Sequence, residues 1–463
     1  MRDSLIEMRR CASRMSAQHQ GHLRPQADDR HAVREVDVTS QSTAKPSRPA
    51  RFAGVSATAI LAATLAFAMP AQAQDIVLDF PSFQHDEAST SAWWKDVIAD
   101  FESRHPGVKV NFSNSPGSRH SDLLATRFAA GSPPDIVHMI SRSFVGFAAQ
   151  GWFSEIDSCF TDDTLSHFGG LQSYMEWDGE TQGLLLNSYG YHLFYNKEIL
   201  DAAGVGVPTT PDELADAVAK IDALNEDYVG FAGVTRAEAD AFLQASMFVS
   251  GQGVPWTTDA GYNLTSPELI AAMENFREVH ANAPRGAGEM DRNEFFFNGS
   301  AAMLLDGNYF WQQALDEADP AVRDHIGIAL APFPNQPGSV SNSLHIPASL
   351  DPEKKALVCD FIATAAQPGF QQQYGEALSV PPPRDGAMTD ALRARFPEQI
   401  AIMIEGKERA VSVLPDNEDV MANYGLWTKL VADAVVEMTA TDRSTTDILT
   451  DLQKRLEIEI PLD

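Results

Sequence analysis

A chain of 463 residues with 34 basic and 64 acidic side chains carries a net charge of −30. That field makes nucleic acid and anionic membrane poor partners and excludes them from the expected list. A local basic pocket for a small anion stays open.

Residues 1–50 are polar and unpatterned, and are expected to lie outside the fold, as an extension or a start assigned too far upstream. Phe52–Met69 is an Ala-rich apolar run, preceded by Lys45, Arg48 and Arg51 and followed by Pro-Ala-Gln-Ala-Gln. Ala71 and Ala73 stand where a signal peptidase reads small residues, so 51–73 is expected to be a secretory signal cut between Ala73 and Gln74. No Cys sits at that point, so no lipid anchor is indicated. Removing 1–73 with its 10 basic and 6 acidic residues leaves 390 residues, 24 basic and 58 acidic, and a net charge of −34. That length suffices for two lobes with separate cores. Cys159 and Cys359 stay with it in an oxidising compartment, where spacing alone leaves their pairing open.

Asp75–Phe80 reads as a strand, and the segment after it as a helix with Trp94, Val97, Ile98 and Phe101 on one stripe. Ser89, Thr90 or Ser91 can cap that helix; His105-Pro106-Gly107 ends it. Val108, Val110 and Phe112 alternate as in a half-buried strand. A helix around His120–Gly131 and a strand at Asp135–Met139 complete a β-α-β-α-β series, which implies a largely parallel sheet with helices on its faces. A second series starts near Gly183 with a long strand running into a helix. Thr210, Pro211 and Glu213 mark the next helix start as a capping box with proline in the first turn. The absence of a long linker suggests that the chain crosses between its lobes more than once.

No nucleophile elbow, H-E-x-x-H, P-loop or G-x-G-x-x-G is present, and the 12 His are scattered. Neither a cofactor nor a metal is expected. A secreted carbohydrate-active enzyme remains the alternative, because two of the many carboxylates could meet in a cleft. The positive signal is aromatic: Tyr189, Tyr191, Tyr195, Trp256, Tyr309, Phe310, Trp311, Tyr424 and Trp427 fall where periodic segments give way to turns. A pyranose needs a flat apolar platform with polar side chains at its rim. Trp93 and Trp94, on an apolar stripe, are expected in the core.

Four stretches carry a family likeness: "AAGSPPDIVHM" with "FAAQGWFSEID", "LFYNKEILDAAGVGVPTTPDELADAVAKI", "FFFNGSAAMLLDGNYFW", and "APFPNQPG" through "PEKKALVCDFIATAAQPGFQQQYG" to "PPPRD". In this order they resemble the extracellular solute-binding proteins of ABC importers, in the sugar-binding group related to maltodextrin-binding protein. The resemblance implies an α/β fold of two lobes, each a mainly parallel sheet flanked by helices, joined by a multi-segment hinge. It puts crossings near 188–191, 332–338 and 378–383, lobe one at 74–188 with 335–378, and lobe two at 190–332 with 383–463. The function implied is that of a periplasmic, monomeric, non-catalytic receptor delivering a mono- or oligosaccharide to permease transmembrane subunits. A polyol, sugar phosphate or polyamine would be the alternative cargo. Tyr309 is the expected stacking platform and Tyr189 a contact. Asp306 and Arg142 are rim candidates, and Trp311 and Trp427 further aromatic ones. Gly307 and Asn308 are expected to form the turn that projects Tyr309, and Phe310 to be core.

Overall fold

The computed structural model describes residues 76–462, apart from 161–162, 169 and 225–227. The N-terminal extension, the signal segment and the Ala73–Gln74 cleavage point lie outside the described residues. In chain order the main elements are β1 (Ile76–Ser82), α1 (Ser91–Arg104), β2 (Val108–Asn114), α2 (His120–Ala129), β3 (Val137–Ile140), α3 (Phe144–Ala148), β4 (Phe153–Ser154) and β5 (Leu184–Leu185). There follow β6 (Ser188–Asn196), α4 (Lys197–Ala203), α5 (Pro211–Asp222), β7 (Val229–Phe231), α6 (Ala239–Gly251), α7 (Pro267–Val279), α8 (Glu289–Phe297), β8 (Ala301–Gly307), α9 (Phe310–Glu317), β9 (Ile326–Leu330) and β10 (Gln336–Val340). The last stretch holds β11 (Asn342–Pro347), α10 (Pro352–Ala365), α11 (Pro368–Leu378), α12 (Pro397–Glu408), β12 (Ala410–Ser412), α13 (Glu418–Ala422), α14 (Tyr424–Ala440) and α15 (Thr445–Glu459).

The first series folds as its periodicity dictates. On α1, Trp93, Trp94, Val97 and Phe101 are buried. Trp94 meets Phe80 edge-on at 5.0 Å, and its indole N–H donates to Gln84 at 3.0 Å. Thr90 stands at the N-cap, but its hydroxyl donates to Glu87 and caps nothing. On α5, the Thr210 hydroxyl accepts from the Glu213 amide at 3.2 Å, as the sequence implies. The Glu213 carboxylate reaches back one residue further, taking both the amide and the hydroxyl of Thr209 at 2.8 Å.

Strands fall into two groups. β1 runs parallel to β2, and β11 lies antiparallel to β3, β4 and β5. In the second group the order is β12-β10-β6-β8-β7, with β9 also on β6. β7 is parallel to β8 and β10 to β12, whereas β6 is antiparallel to β8, β9 and β10. The sheets are thus mixed rather than mainly parallel. The crossings give the reason for part of it: β6 carries the chain out of the first group and β10 carries it back, so the two must run in opposite directions.

Two crossings lie side by side. The Leu186 amide donates to the Asn342 carbonyl at 2.6 Å, and the Ser341 amide donates to the Asn187 carbonyl at 2.9 Å. Residues 336–340 pair within the second sheet, so the return passes over at Ser341, a few residues later than 332–338. After α11, Ser379 takes a left-handed backbone (φ 54°), and its hydroxyl donates to Gln312 of α9 at 2.6 Å. Cys159 and Cys359 form a disulfide, with Cα atoms 4.9 Å apart, which ties the turn after β4 to α10.

Candidate functional site

Along β6 side chains alternate, so Tyr189 and Tyr191 share one face while Gly190 and His192 share the other. On the latter face α12 presses close: a Cβ at Gly190 would come within 2.8 Å of the Gly406 backbone. The tyrosine face is what the chain keeps for other purposes. Tyr189 meets Tyr191 edge-on at 5.3 Å and Tyr309 edge-on at the same distance. Tyr189 and Tyr191 are buried, while Tyr309 is half-buried at the start of α9.

Gly307 acts differently from the expected turn. Neither it nor Asn308 has a positive φ, and Gly307 is the last residue of β8. What it supplies is room: a Cβ there would lie 2.5 Å from the Tyr309 ring and 2.8 Å from the Tyr189 ring. A methyl group would push the two tyrosines apart.

Beneath the rings lies a buried ion pair. Arg292 of α8 donates to the Asp306 carboxylate at the end of β8; each side chain is 4% exposed. Arg292 also donates to Asn293 at 2.8 and 3.0 Å, and the other Asp306 oxygen accepts from the Gly307 amide at 2.6 Å. Asp306 is therefore no exposed rim carboxylate: its position in β8 points it inward, where both oxygens are engaged. Taking away one partner strands a charge in the interior. Arg292→Ala is expected to lower unfolding stability by about 3 kcal/mol, read by urea titration.

Beside this pair the starts of α6 and α8 converge. The Thr235 and Arg236 amides donate to the Ala287 carbonyl at 2.8 and 3.0 Å. The Ala287 amide returns to the Thr235 hydroxyl at 3.0 Å, and the Glu289 amide donates to Glu238 at 2.7 Å. This stitching sets Asp240 and Glu289 in the first turns of the two helices. The nearby Asp240, with burial second, raises the Glu289 carboxyl to about 7, although Arg292 opposes the shift.

Arg142 comes from the other strand group, in the turn after β3. Among the described residues it has no ion pair. Burial works against its charge, but Tyr424, Asp240, Tyr189 and Tyr191 around it outweigh that and lift its pKa above the guanidinium norm. The Tyr309 phenol is pushed well up by burial, Asp306 and Tyr189, so the ring stays neutral. Several buried polar atoms of these segments have no hydrogen-bond partner: Ser141 Oγ, Asn187 Oδ1, both side-chain polar atoms of Asn308, and the Tyr424 hydroxyl.

The structure therefore gathers three expected residues, Tyr309, Tyr189 and Arg142, with Asp306 one layer below. Trp311 and Trp427 sit elsewhere. Two residues beyond Tyr309, Trp311 points to the opposite side of the helix and packs edge-on against Phe396 at 5.7 Å. Trp427 is fully buried in α14 between Phe242, Trp256 and Tyr262, where it is a core residue. Phe310 is core, as expected. Sequence reasoning did not single out Asp240, Glu289 or Arg292. The one signal for Asp240 and Glu289 was position: acidic side chains in the first turns of two helices.

Residues 85–372 match the family described as bacterial extracellular solute-binding protein. The chain belongs to that family. Among curated relatives, a putative binding protein of Brucella abortus is 24% identical over 264 residues, 55% of this chain and 63% of that one. The multiple sugar-binding protein of Streptococcus mutans is 22% identical over 242 residues, 49% of this chain and 56% of that one. The chain thus matches less than two thirds of the length of these relatives. Solved structures extend the likeness in fold. The GacH receptor of Streptomyces glaucescens has a TM-score of 0.71 at 18% identity, covering 83% of this chain and 98% of the other. The maltose-bound MalE3 of T. maritima gives 0.71 at 19%, covering 83% and 99%. The fold is the two-lobe α/β solute-binding fold, and the family is described as one of extracellular solute-binding proteins.

Proposed function

We propose that this solute-binding protein is the receptor of an ABC importer and takes a neutral sugar or polyol between its lobes for delivery to permease transmembrane subunits. The observation that carries this reading is the arrangement around Tyr309. Arg142 from one strand group faces Asp240, Tyr189 and Tyr424 from the other, and among the described residues neither Arg142 nor Asp240 forms an ion pair. A polyhydroxylated ligand would supply donors and acceptors to both sides at once. It would thereby favour the closed arrangement by differential contact rather than by chemistry. On this reading lobe one is 74–188 with the return segment through 378, and lobe two is 190–332 with 383–463. On this reading the protein works as a monomer in the periplasm, exported by the secretory signal expected at 51–73. Structural relatives are described in complexes with acarbose, maltose and ribitol, which supports the ligand class.

A thermal-shift screen of sugars, sugar alcohols and sugar phosphates tests the proposal, since a ligand at a hundredfold its Kd stabilises by about 2.7 kcal/mol. Tyr309→Ala is then expected to weaken binding of the compound found by roughly 1–3 kcal/mol, the order expected for a lost aromatic contact. Its ligand-free melting temperature should barely move, because the ring is only half-buried. Early unfolding with affinity kept would make Tyr309 a core residue and remove it from the site.

A further inference from the structure

α11 ends in a Schellman turn. The Val380 amide donates to the Gly375 carbonyl at 2.9 Å and the Ser379 amide to the Glu376 carbonyl at 3.2 Å. That pattern puts Ser379 in the left-handed backbone, at φ 54° and ψ 39°. Glycine suits such a position, because there a Cβ crowds the backbone. Among the described residues only Asp178 and Ser379 reach a positive φ with a side chain. Asp178 does so at the exposed tip of the hairpin closed by Trp177 and Glu180, where aspartate is tolerated. Ser379 does so fully buried. A serine kept there against its backbone preference needs a reason of its own.

The hydroxyl supplies one. It donates to Gln312 Oε1 at 2.6 Å, and Gln312 Nε2 donates to Asp316 at 2.9 Å, which turns the amide oxygen toward the serine. The partners belong to different strand groups. α11 packs on α1, with Tyr374 meeting Trp93 at 4.6 Å, whereas α9 packs on β6, with Phe310 meeting Phe194 edge-on at 4.8 Å. Beyond Ser379 the crossing has little slack. Pro381, Pro382 and Pro383 fix their own φ angles. A Cβ at Gly375 would come within 2.9 Å of the Val380 carbonyl and 3.0 Å of the Pro382 ring, and Lys407 donates to the Pro382 carbonyl at 3.4 Å. Gln312 follows Tyr309 by three residues, so the two lie on one side of the helix start.

We propose that Ser379 is a positioning residue for the site: through Gln312 it keys the helix that starts at Tyr309 to the third crossing. The Tyr309 ring then takes its place only while the two strand groups stand as they do here. This rests on the receptor reading above and adds to it a residue that sets affinity without touching the ligand. Losing the bond lets α9 and the crossing part, the competent arrangement becomes rarer, and apparent affinity falls in proportion.

Three variants test this: Ser379→Gly, Gln312→Ala and the two together. The first readout needs no ligand. In protein carrying 3-fluorotyrosine, the Tyr309 signal is assigned by its loss in Tyr309→Phe. It is expected to move in Ser379→Gly and by the same amount in Gln312→Ala and in the double variant, because one bond is removed each time. The signal of Tyr262, whose hydroxyl donates to the Ile460 carbonyl, should stay. Ser379→Gly should melt no earlier than the unmodified protein, since glycine relieves the backbone as the hydroxyl bond is lost. A Tyr309 signal that stays in place, or displacements that add in the double variant, overturns the proposal. The second readout is calorimetry with maltose and ribitol. Whichever binds is expected to lose about three- to tenfold in affinity in all three variants, the ratio one buried hydrogen bond supports. Unchanged affinity overturns the proposal and leaves the receptor reading standing. Silence with both compounds and across a wide sugar library counts against the receptor reading, while the fluorine signal still decides the link from Ser379 to Tyr309.

Discussion

Lowering the pH from 7 to 5 is expected to remove at least about 4 kcal/mol of unfolding stability through buried histidines. Burial holds His345 down to about 3 and both His192 and His280 to about 4; His138 and His120 are lowered in the same way. Each sits where a second proton is unwelcome. The His345 Nδ1–H donates to the Gln182 carbonyl at 2.7 Å and its Nε2 accepts from the Ser343 hydroxyl at 2.7 Å. His192 donates to the Ile402 carbonyl, and its Nδ1 is buried with no partner. The unfolded chain takes up protons at these rings below about pH 6.5, whereas the folded chain does not until much lower pH. Stability is therefore full above 6.5 and declines toward 3, by roughly 2 kcal/mol per strongly lowered histidine at pH 5. Glu289 works in the opposite direction: its raised pKa makes the folded state bind a proton more readily than the unfolded one, which offsets about one histidine. Urea midpoints at pH 7, 6 and 5 check this, and His345→Gln should flatten part of the slope. Equal midpoints at pH 7 and 5 would show that these rings are not held neutral by the fold.

Breaking the Cys159–Cys359 bond is expected to have an effect of similar size. The bridge joins residues 200 apart in sequence and closes a loop spanning β5 through α10. A loop of that length removes a large share of the unfolded chain's freedom, with a ceiling of about 5 kcal/mol in the chain-entropy account. The loop contains the whole of β6 to β10, so the constraint links the outward and return crossings. Reduction under native buffer, or Cys159→Ser with Cys359→Ser, should lower the melting temperature by several degrees and advance the urea transition of the strand group around β11. An unchanged transition after confirmed reduction would mean that the cross-link restrains nothing that the noncovalent fold does not already restrain.

Much of the fold was legible because its causes are local. The stripe from Trp94 to Phe101, the Thr210–Pro211 start and the core position of Phe310 follow from periodicity and capping, which need no knowledge of the rest of the chain. Strand direction was not legible, because it depends on which way each crossing returns. The site divides in the same manner. Tyr309 and Tyr189 stand out as aromatics at a strand end and on a crossing strand. Asp240 and Glu289 look like two helix-start acids among 58, and only hydrogen bonds between segments some fifty residues apart bring them together. Asp306 and Trp427 show the reverse error: a residue type suited to binding was assigned to it, whereas burial had claimed one for an ion pair and the other for a core.

The paired crossings at Leu186–Ser188 and Val340–Asn342 bear on how such a molecule can move. Backbone hydrogen bonds lace the two strands together on either side of Ser341, so neither can slide along the other without breaking them. Gly190 and Gly406 then pin the start of β6 against α12 with no spare space for a side chain. On the receptor reading proposed above, these contacts favour torsion of the two lobes about this short ribbon over translation along it. Such a pivot makes the opening angle a single coordinate, which one pair of spin labels, on α3 and α13, would be enough to track.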